Sequence, residues 1–437
     1  SLLFFLLSFP FSQRQVLANK STTSHLLWRK NLSLSLGFKL LSCYRNCKHF
    51  GVCGGCSSPQ MEYASSLKTK ELALHNLFAP LIPSQNILPV IPCSPLLRGR
   101  NKMEFSFYQT VDGEKTLGFI SPSKPKKGIP ITECLMIDER AMDILNITRS
   151  WWTAHPDLSA YYPPLNKGSL CTITVRVGNI SNDFMIILTT SGREEFAVPL
   201  NIIQEWQQSL LDSGLPITSI FWEEKLSARN SPTTFRTTHL YGAPFLKQQL
   251  SIDGRSSLFH IRPRSFFQPQ SLQAEKIIQT IKEFIDPCGE ETLLDLYCGA
   301  GTIGILLAPY VKKIIGVELV PDAVASAQEN IQLNSVASPM EVFLEDAKQF
   351  CKRNENLPSP DIVVIDPPRC GMQNKALKYL LRMAPKKIVY VSCNPLTQIQ
   401  ECSVLVEQGY QLRHMQPIDQ FPHTNHLENI VLLERLS

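Results

Sequence analysis

The sequence predicts an α/β protein: a parallel sheet flanked by helices in the last third, preceded by a β-rich mixed region that carries a cysteine cluster. Three observations predict it. Strand-like runs at Thr292–Tyr297, Lys313–Leu319, Asp361–Ile365 and Lys387–Ser392 alternate with helical stretches such as Asp322–Leu333, the pattern of a parallel sheet with crossover helices. A glycine-rich turn opens directly after the first of those strands. Upstream, Met103, Phe105 and Phe107 alternate, and Cys171–Val177 and Phe184–Leu188 are β-branched or apolar runs, so Lys102 to about Thr190 reads as strands.

The length suits that organisation. At 437 residues the chain is about three times a typical domain of ~150 residues, so two or three cores are expected. Hydrophobic residues at 43% and charged residues at 19% exclude a disordered chain. The longest apolar stretch, Ser1 to Phe11, is interrupted by Pro10 and falls short of the ~20 residues that cross a bilayer, so no membrane span is expected. Thirteen cysteines, an odd number scattered apart from one cluster, fit a reducing compartment, and the chain reads as cytoplasmic.

From the N-terminus, residues 1–46 form a basic arm. Residues 1–48 hold seven basic side chains and no acidic ones, so the net charge of +5 conceals a remainder of −2. Such an arm suits a polyanion partner, a mobile tail or a processed targeting segment. Within it Leu32, Leu34, Leu36, Phe38 and Leu40 alternate as one half-buried strand would. Residues 47–258 form the central region. It opens with the loop Cys47–Cys56, followed by a helical stretch from Met61 to Phe78 and a Pro-rich connector. Arg98, Arg100, Lys102, Lys115, Lys124, Lys126 and Lys127, against three acidic residues, give its first strands a net +4, interleaved with Phe105, Phe107 and Tyr108. Two readings stand: an RNA face, or a solvated strand pair with core aromatics.

Residues 259–437 carry the motifs. Gly299, Gly301 and Gly304 complete a G-x-G-x-x-G between a strand and an apolar helix start, where glycines let the backbone turn and approach a nucleotide. Glu318 ends the next strand, placed to accept hydrogen bonds from ribose hydroxyls. To this point a nicotinamide cofactor fits equally. Asp346, after the strand-like Glu341–Leu344, and the rigid Asp366-Pro367-Pro368-Arg369 separate the readings, because in S-adenosylmethionine-dependent methyltransferases that last position abuts methyl donor and acceptor base. The strand ending at Ser392 delivers Cys393 to the carboxyl edge of the sheet as a candidate nucleophile, and Glu428 follows two histidines just before the final strand Asn429–Leu433.

Together SFFQ (265–268), DLYCGAGTIG (295–304), GVEL (316–319), DPPR (366–369), SCNP (392–395) and FPHTNHLE (421–428) resemble the uracil-5 RNA methyltransferase family, in the family's order and over about the last 175 residues. The helix after SCNP departs from it, reading Leu396-Thr-Gln-Ile-Gln-Glu401 where the family has a Thr-Leu-Ala-Arg-Asp-like start. The resemblance implies a Rossmann-like class I methyltransferase domain that uses S-adenosyl-L-methionine to make 5-methyluridine. Cys393 would attack uracil C6 and Glu428 would remove the C5 proton. Phe266 would hold the flipped base, and Gln268, Tyr297, Gly299, Gly301, Thr302, Glu318, Asp346 and Asp366 would line the donor site. It also implies a [4Fe–4S] cluster on Cys47, Cys53, Cys56 and Cys134, with zinc as the competing metal.

The partner implied is structured RNA, with 23S ribosomal RNA favoured by the cysteine cluster and the transfer-RNA thymine loop as alternative. Neither DNA nor a membrane is expected, and the protein is expected to act as a monomer. Competing readings are methylation of cytosine or an exocyclic amine, and a non-catalytic RNA-binding protein with a retained donor pocket.

Overall fold

The computed structural model describes residues 47–57, 62–123, 127–227, 233–356 and 358–436. The basic arm and its strand-like Leu32–Leu40, together with Lys124 and Lys126, lie outside the described residues.

The chain first forms α1 (Tyr63–Phe78) and then a seven-stranded sheet. Its strands are β1 (Lys102–Gln109), β2 (Lys115–Ile120), β3 (Gly128–Pro130), β4 (Leu170–Val177), β5 (Phe184–Ser191), β6 (Ile217–Leu226) and β7 (Thr234–Gly242), in the order β3-β2-β1-β4-β5-β6-β7. All pairs are antiparallel except β5 and β6, which the crossover helix α3 (Leu200–Leu211) joins in parallel. With α2 (Ala141–Ala154), α3 covers one face. Met103, Phe105 and Phe107 point into the core there with Trp151, Trp152 and Trp206, so the period-2 pattern of β1 marks a half-buried strand.

A hairpin, β8 (Leu246–Ile252) and β9 (Arg255–Ile261), leads to α4 (Ser271–Ile285) and the second seven-stranded sheet. This comprises β10 (Thr292–Leu296), β11 (Lys313–Glu318), β12 (Met340–Leu344), β13 (Ile362–Ile365), β14 (Lys387–Ser392), β15 (Tyr410–Ile418) and β16 (Glu428–Arg435), ordered β12-β11-β10-β13-β14-β16-β15. Five strands run parallel and β16 pairs antiparallel with both neighbours. The Rossmann-like expectation is met. Ile362–Ile365 is buried throughout because helices cover both faces, and an unbroken apolar run is what such a strand requires. One face carries α4, the hairpin, α5 (Thr302–Leu307) and α6 (Pro321–Leu333). The other carries α7 (Ala347–Asn354), α8 (Asn374–Met383), α9 (Pro395–Glu407) and, from far upstream, α1 through Leu74 and Phe78. Among the described residues no helix is long and apolar enough to cross a membrane.

Candidate active site

The strand order reverses between β10 and its neighbours β11 and β13, and the carboxyl ends of these strands form the crevice where doubly wound sheets place ligands. After β10 the backbone turns with Tyr297, Gly299 and Gly301 at φ of 66°, 57° and 80° before α5 begins at Thr302. A Cβ built at Gly299 would meet no atom within 4 Å, so this glycine serves the left-handed turn and leaves its side open. Glu318, at the end of β11, accepts hydrogen bonds from the Gly299 N–H at 3.0 Å and from the Leu319 and Val320 N–H groups at 2.8 Å. Its carboxylate is thereby fixed beside the turn. Asp346 caps α7, its Oδ1 accepting from the Gln349 N–H at 3.2 Å.

Asp366 interacts electrostatically with two other buried carboxyl groups, Asp295 in the strand before the turn and Glu428 across the sheet. Burial pushes Asp366 up to about 7, opposed by a 3.2 Å hydrogen bond from Gln268 Nε2 to its Oδ2. Burial and then the Asp366 charge push Asp295 up to about 8; its Oδ2 accepts from the Gly304 N–H, while its buried Oδ1 has no hydrogen-bond partner among the described residues. Glu428 is raised well above the usual carboxyl range by burial and by Asp366. Burial away from water holds protons on these groups more tightly than usual, and a cationic ligand would work against that. An S-adenosylmethionine, positive at sulfur and at its amino group, fits this edge, and the orphaned Asp295 oxygen and the open Gly299 turn fit it too.

Cys393 leaves β14 one residue beyond Ser392, and Ser392 pairs with Asn429. Antiparallel register therefore sets Cys393 opposite Glu428, with Asp366 at the end of the next strand along. Ser392 and Asn394 bond to each other, and Asn394 Nδ2 donates to the Arg369 carbonyl at 3.0 Å, tying the thiol's loop to that of Asp366. Burial and the Glu428 charge push the Cys393 thiol up to about 11, while Arg369 pulls it down. Cys393 should therefore stay protonated at neutral pH, and its alkylation by iodoacetamide should rise about tenfold per unit between pH 7 and 9. Arg369→Met should slow alkylation at every pH. Site-resolved mass spectrometry would read both, and a plateau reached by pH 8 would contradict this electrostatic account.

Phe266 is 62% exposed between buried Ser265 and Phe267, an aromatic face held toward solvent. Several site-forming residues were not legible in advance. Gln420 Nε2 donates to Gln268 Oε1 at 2.5 Å, completing a chain from Gln420 through Gln268 to Asp366. Asp419 beside it is held by Lys70 Nζ at 2.9 Å and Tyr63 Oη at 2.8 Å, both from α1. In α9, where the sequence departs from the family's pattern, Glu401 accepts from the Tyr390 hydroxyl and the Met372 N–H, and fully buried Gln398 bridges the Tyr390 and Asn429 carbonyls.

Of the two readings of the basic segment, the described residues favour core aromatics. Phe105 stacks on Phe119, Phe107 meets Trp152 edge-on, Lys115 donates to the Trp152 and His155 carbonyls, and Arg98 to those of Cys134 and Ile137. The Cys47–Cys56 loop docks near Cys134: His49 bonds Thr132, Lys48 lies 4.0 Å from Glu133, and Cys53 and Cys56 pack on the core that contains Cys134. Burial, then Cys47 and Cys53, raise the Cys134 thiol. Among the described residues no three His, Cys, Asp or Glu side chains are arranged to hold a metal ion.

Known proteins resemble this chain in sequence and fold. The sequence model of a family described as tRNA (uracil-5-)-methyltransferase matches residues 235–436. A Chlamydia trachomatis protein named an uncharacterized RNA methyltransferase is 98% identical over 398 residues, 91% of this chain and 100% of the relative. The chain belongs to the uracil-5 RNA methyltransferase family. A Protochlamydia amoebophila protein, likewise named an uncharacterized RNA methyltransferase, is 37% identical over 89% of this chain and 90% of its own length. Among solved structures, Pyrococcus abyssi tRNA (uracil-54, C5)-methyltransferase in complex with S-adenosyl-L-homocysteine superposes with a TM-score of 0.66 at 26% identity, over 87% of this chain and 84% of that one. The enzyme is thus an S-adenosylmethionine-dependent RNA methyltransferase.

Proposed function

We propose that the enzyme forms 5-methyluridine through a covalent adduct on Cys393. The observation that carries this is the register that sets a thiol and a buried carboxyl group opposite each other at the strand ends. The donor supplies an electrophilic methyl group on a sulfonium; Gln268, Tyr297, Gly299, Gly301, Thr302, Glu318, Asp346 and Asp366 are the residues that would hold it. Phe266 holds the uracil out of its stack. The Cys393 thiol gives up its proton to solvent and as thiolate adds to C6, shifting the C5–C6 π electrons onto C5, which bonds to the methyl carbon as the carbon–sulfur bond of the sulfonium breaks and its electron pair stays on sulfur. Glu428 then takes the C5 proton, the π bond re-forms, and Cys393 departs as thiolate. The adduct itself is the test, argued below.

The target we favour is a uridine in 23S ribosomal RNA, on the strength of the Cys-x5-Cys-x2-Cys spacing. A second reading, the transfer-RNA thymine loop, is favoured by the likeness to a tRNA (uracil-54, C5)-methyltransferase. With unmodified transcripts side by side, 23S fragments should be methylated in preference to tRNA, with activity falling steeply as salt rises. Methylation of tRNA alone would move the assignment to the second reading.

The four cysteines are proposed to hold a [4Fe–4S] cluster, supported by the docking of their loop against Cys134. The described thiols are near one another but not in ligand positions, so binding requires the loop to tighten. Anaerobically purified protein should contain about four irons per chain. Stoichiometric zinc without iron would contradict the proposal.

A further inference from the structure

The face of the first sheet opposite α2 and α3 holds a cavity of about 260 Å³ that the uracil chemistry does not use. Its wall combines cations and carboxylates: Lys102, Glu104, Glu223, Lys225 and Arg264, with Phe235 beside them. The Arg264 guanidinium lies 3.6 Å over the Phe235 ring, making a planar platform. Glu223 is buried yet only loosely engaged, its two oxygens accepting from Thr237 and Arg264 at 3.3 Å each. The cavity also abuts the site already described. Buried Arg176 donates to the Pro263 and Ser265 carbonyls at 3.1 and 2.7 Å, which fastens the segment between Arg264 and Phe266 to this sheet. Two residues span at most about 7 Å, so the cavity lies next to the place where Phe266 faces solvent.

We propose that this cavity is a second base-binding subsite, which takes an unstacked guanine of the RNA strand near the target uridine. The inference rests on the assignment of the enzyme to RNA. The two carboxylates in the wall accept hydrogen bonds from a base edge that offers N–H groups, which a phosphate does not. Guanine presents N1–H and N2–H side by side for one carboxylate, and O6 and N7 for the lysines; adenine has no such paired N–H edge. The Arg264–Phe235 platform supplies the stacking surface that unstacked RNA bases use.

The test measures binding of guanosine and adenosine 5′-monophosphates to the full-length enzyme by saturation-transfer NMR, with S-adenosylhomocysteine saturating the donor site. The phosphate is common to both probes, so selectivity reports the base. Guanosine monophosphate should bind about tenfold or more tightly than its adenosine counterpart. Glu223→Gln and Phe235→Ala should each erase that preference with S-adenosylhomocysteine affinity unchanged. Lys102→Met, which leaves the Glu223–Arg264 pair intact, should weaken guanosine monophosphate binding independently. Equal affinity for the two nucleotides, or a preference that survives all three variants, would overturn the proposal. Selectivity in an enzyme that methylates no RNA would instead place the fault with the functional reading.

Discussion

RNA carrying 5-fluorouridine at the target position, incubated with the enzyme and S-adenosylmethionine, is expected to end as a denaturation-resistant protein–RNA adduct, because fluorine cannot leave as the proton does. Cys393→Ala should abolish it, since Cys393 is the thiol that the register sets opposite Glu428. Glu428→Gln should act at a later step. Removing the Glu428 charge takes away one of the influences that hold the Cys393 thiol high, so attack is not impeded. The amide cannot take the C5 proton, and release should slow by roughly 10²- to 10⁴-fold, the usual worth of a positioned general base. Ordinary RNA would then accumulate as adduct on this variant, visible as a shifted band on a denaturing gel. Turnover by Cys393→Ala at the wild-type rate would sink the covalent mechanism.

Much of this architecture could be read from local pattern. The strands of the second sheet are short apolar runs closed by motif residues, and both properties are local, so β10, β11, β13 and β14 and the residues they deliver were visible in order. The opposition of Cys393 and Glu428 was not, because it depends on the register of β14 with β16, which no local signal encodes. Phe105 and Phe107 show a different limit. Alternation fixes that one face is buried but not whether helices or RNA cover it, and only the docking of α2 and α3 decides. Likewise, the spacing of Cys47, Cys53 and Cys56 announces proximity without setting ligand geometry. The stretch from Met61 to Phe78 reads as a helix, yet nothing local says which sheet it will cover, and it covers the second.

That placement of α1 has a large expected consequence. Lys70 and Asp419, 349 residues apart, form an ion pair with side chains 6% and 0% exposed. Asp419 also accepts from Tyr63, its N–H donates to the Ile91 carbonyl, and its own carbonyl accepts from Gln273 at 2.9 Å. Lys70 reaches the Phe421 carbonyl at 3.2 Å. The pair therefore clamps both sides of Gln420, which supports Gln268 and through it Asp366. Lys70→Met leaves the Asp419 carboxylate buried with Tyr63 as its remaining side-chain partner, and should cost about 3–5 kcal/mol of stability, the penalty of an uncompensated buried charge. Lys70→Met with Asp419→Asn removes that charge while keeping an acceptor for Tyr63, so urea unfolding should show most of the stability restored. Methylation should recover less than stability does, because the bond from Lys70 to the Phe421 carbonyl is still missing and the loop that ends at Glu428 has lost its anchor. A single variant that loses under about 1 kcal/mol would show that the pair does not clamp the fold, and a double variant that recovers activity and stability in step would show that the clamp holds the fold alone and not the alignment of the site.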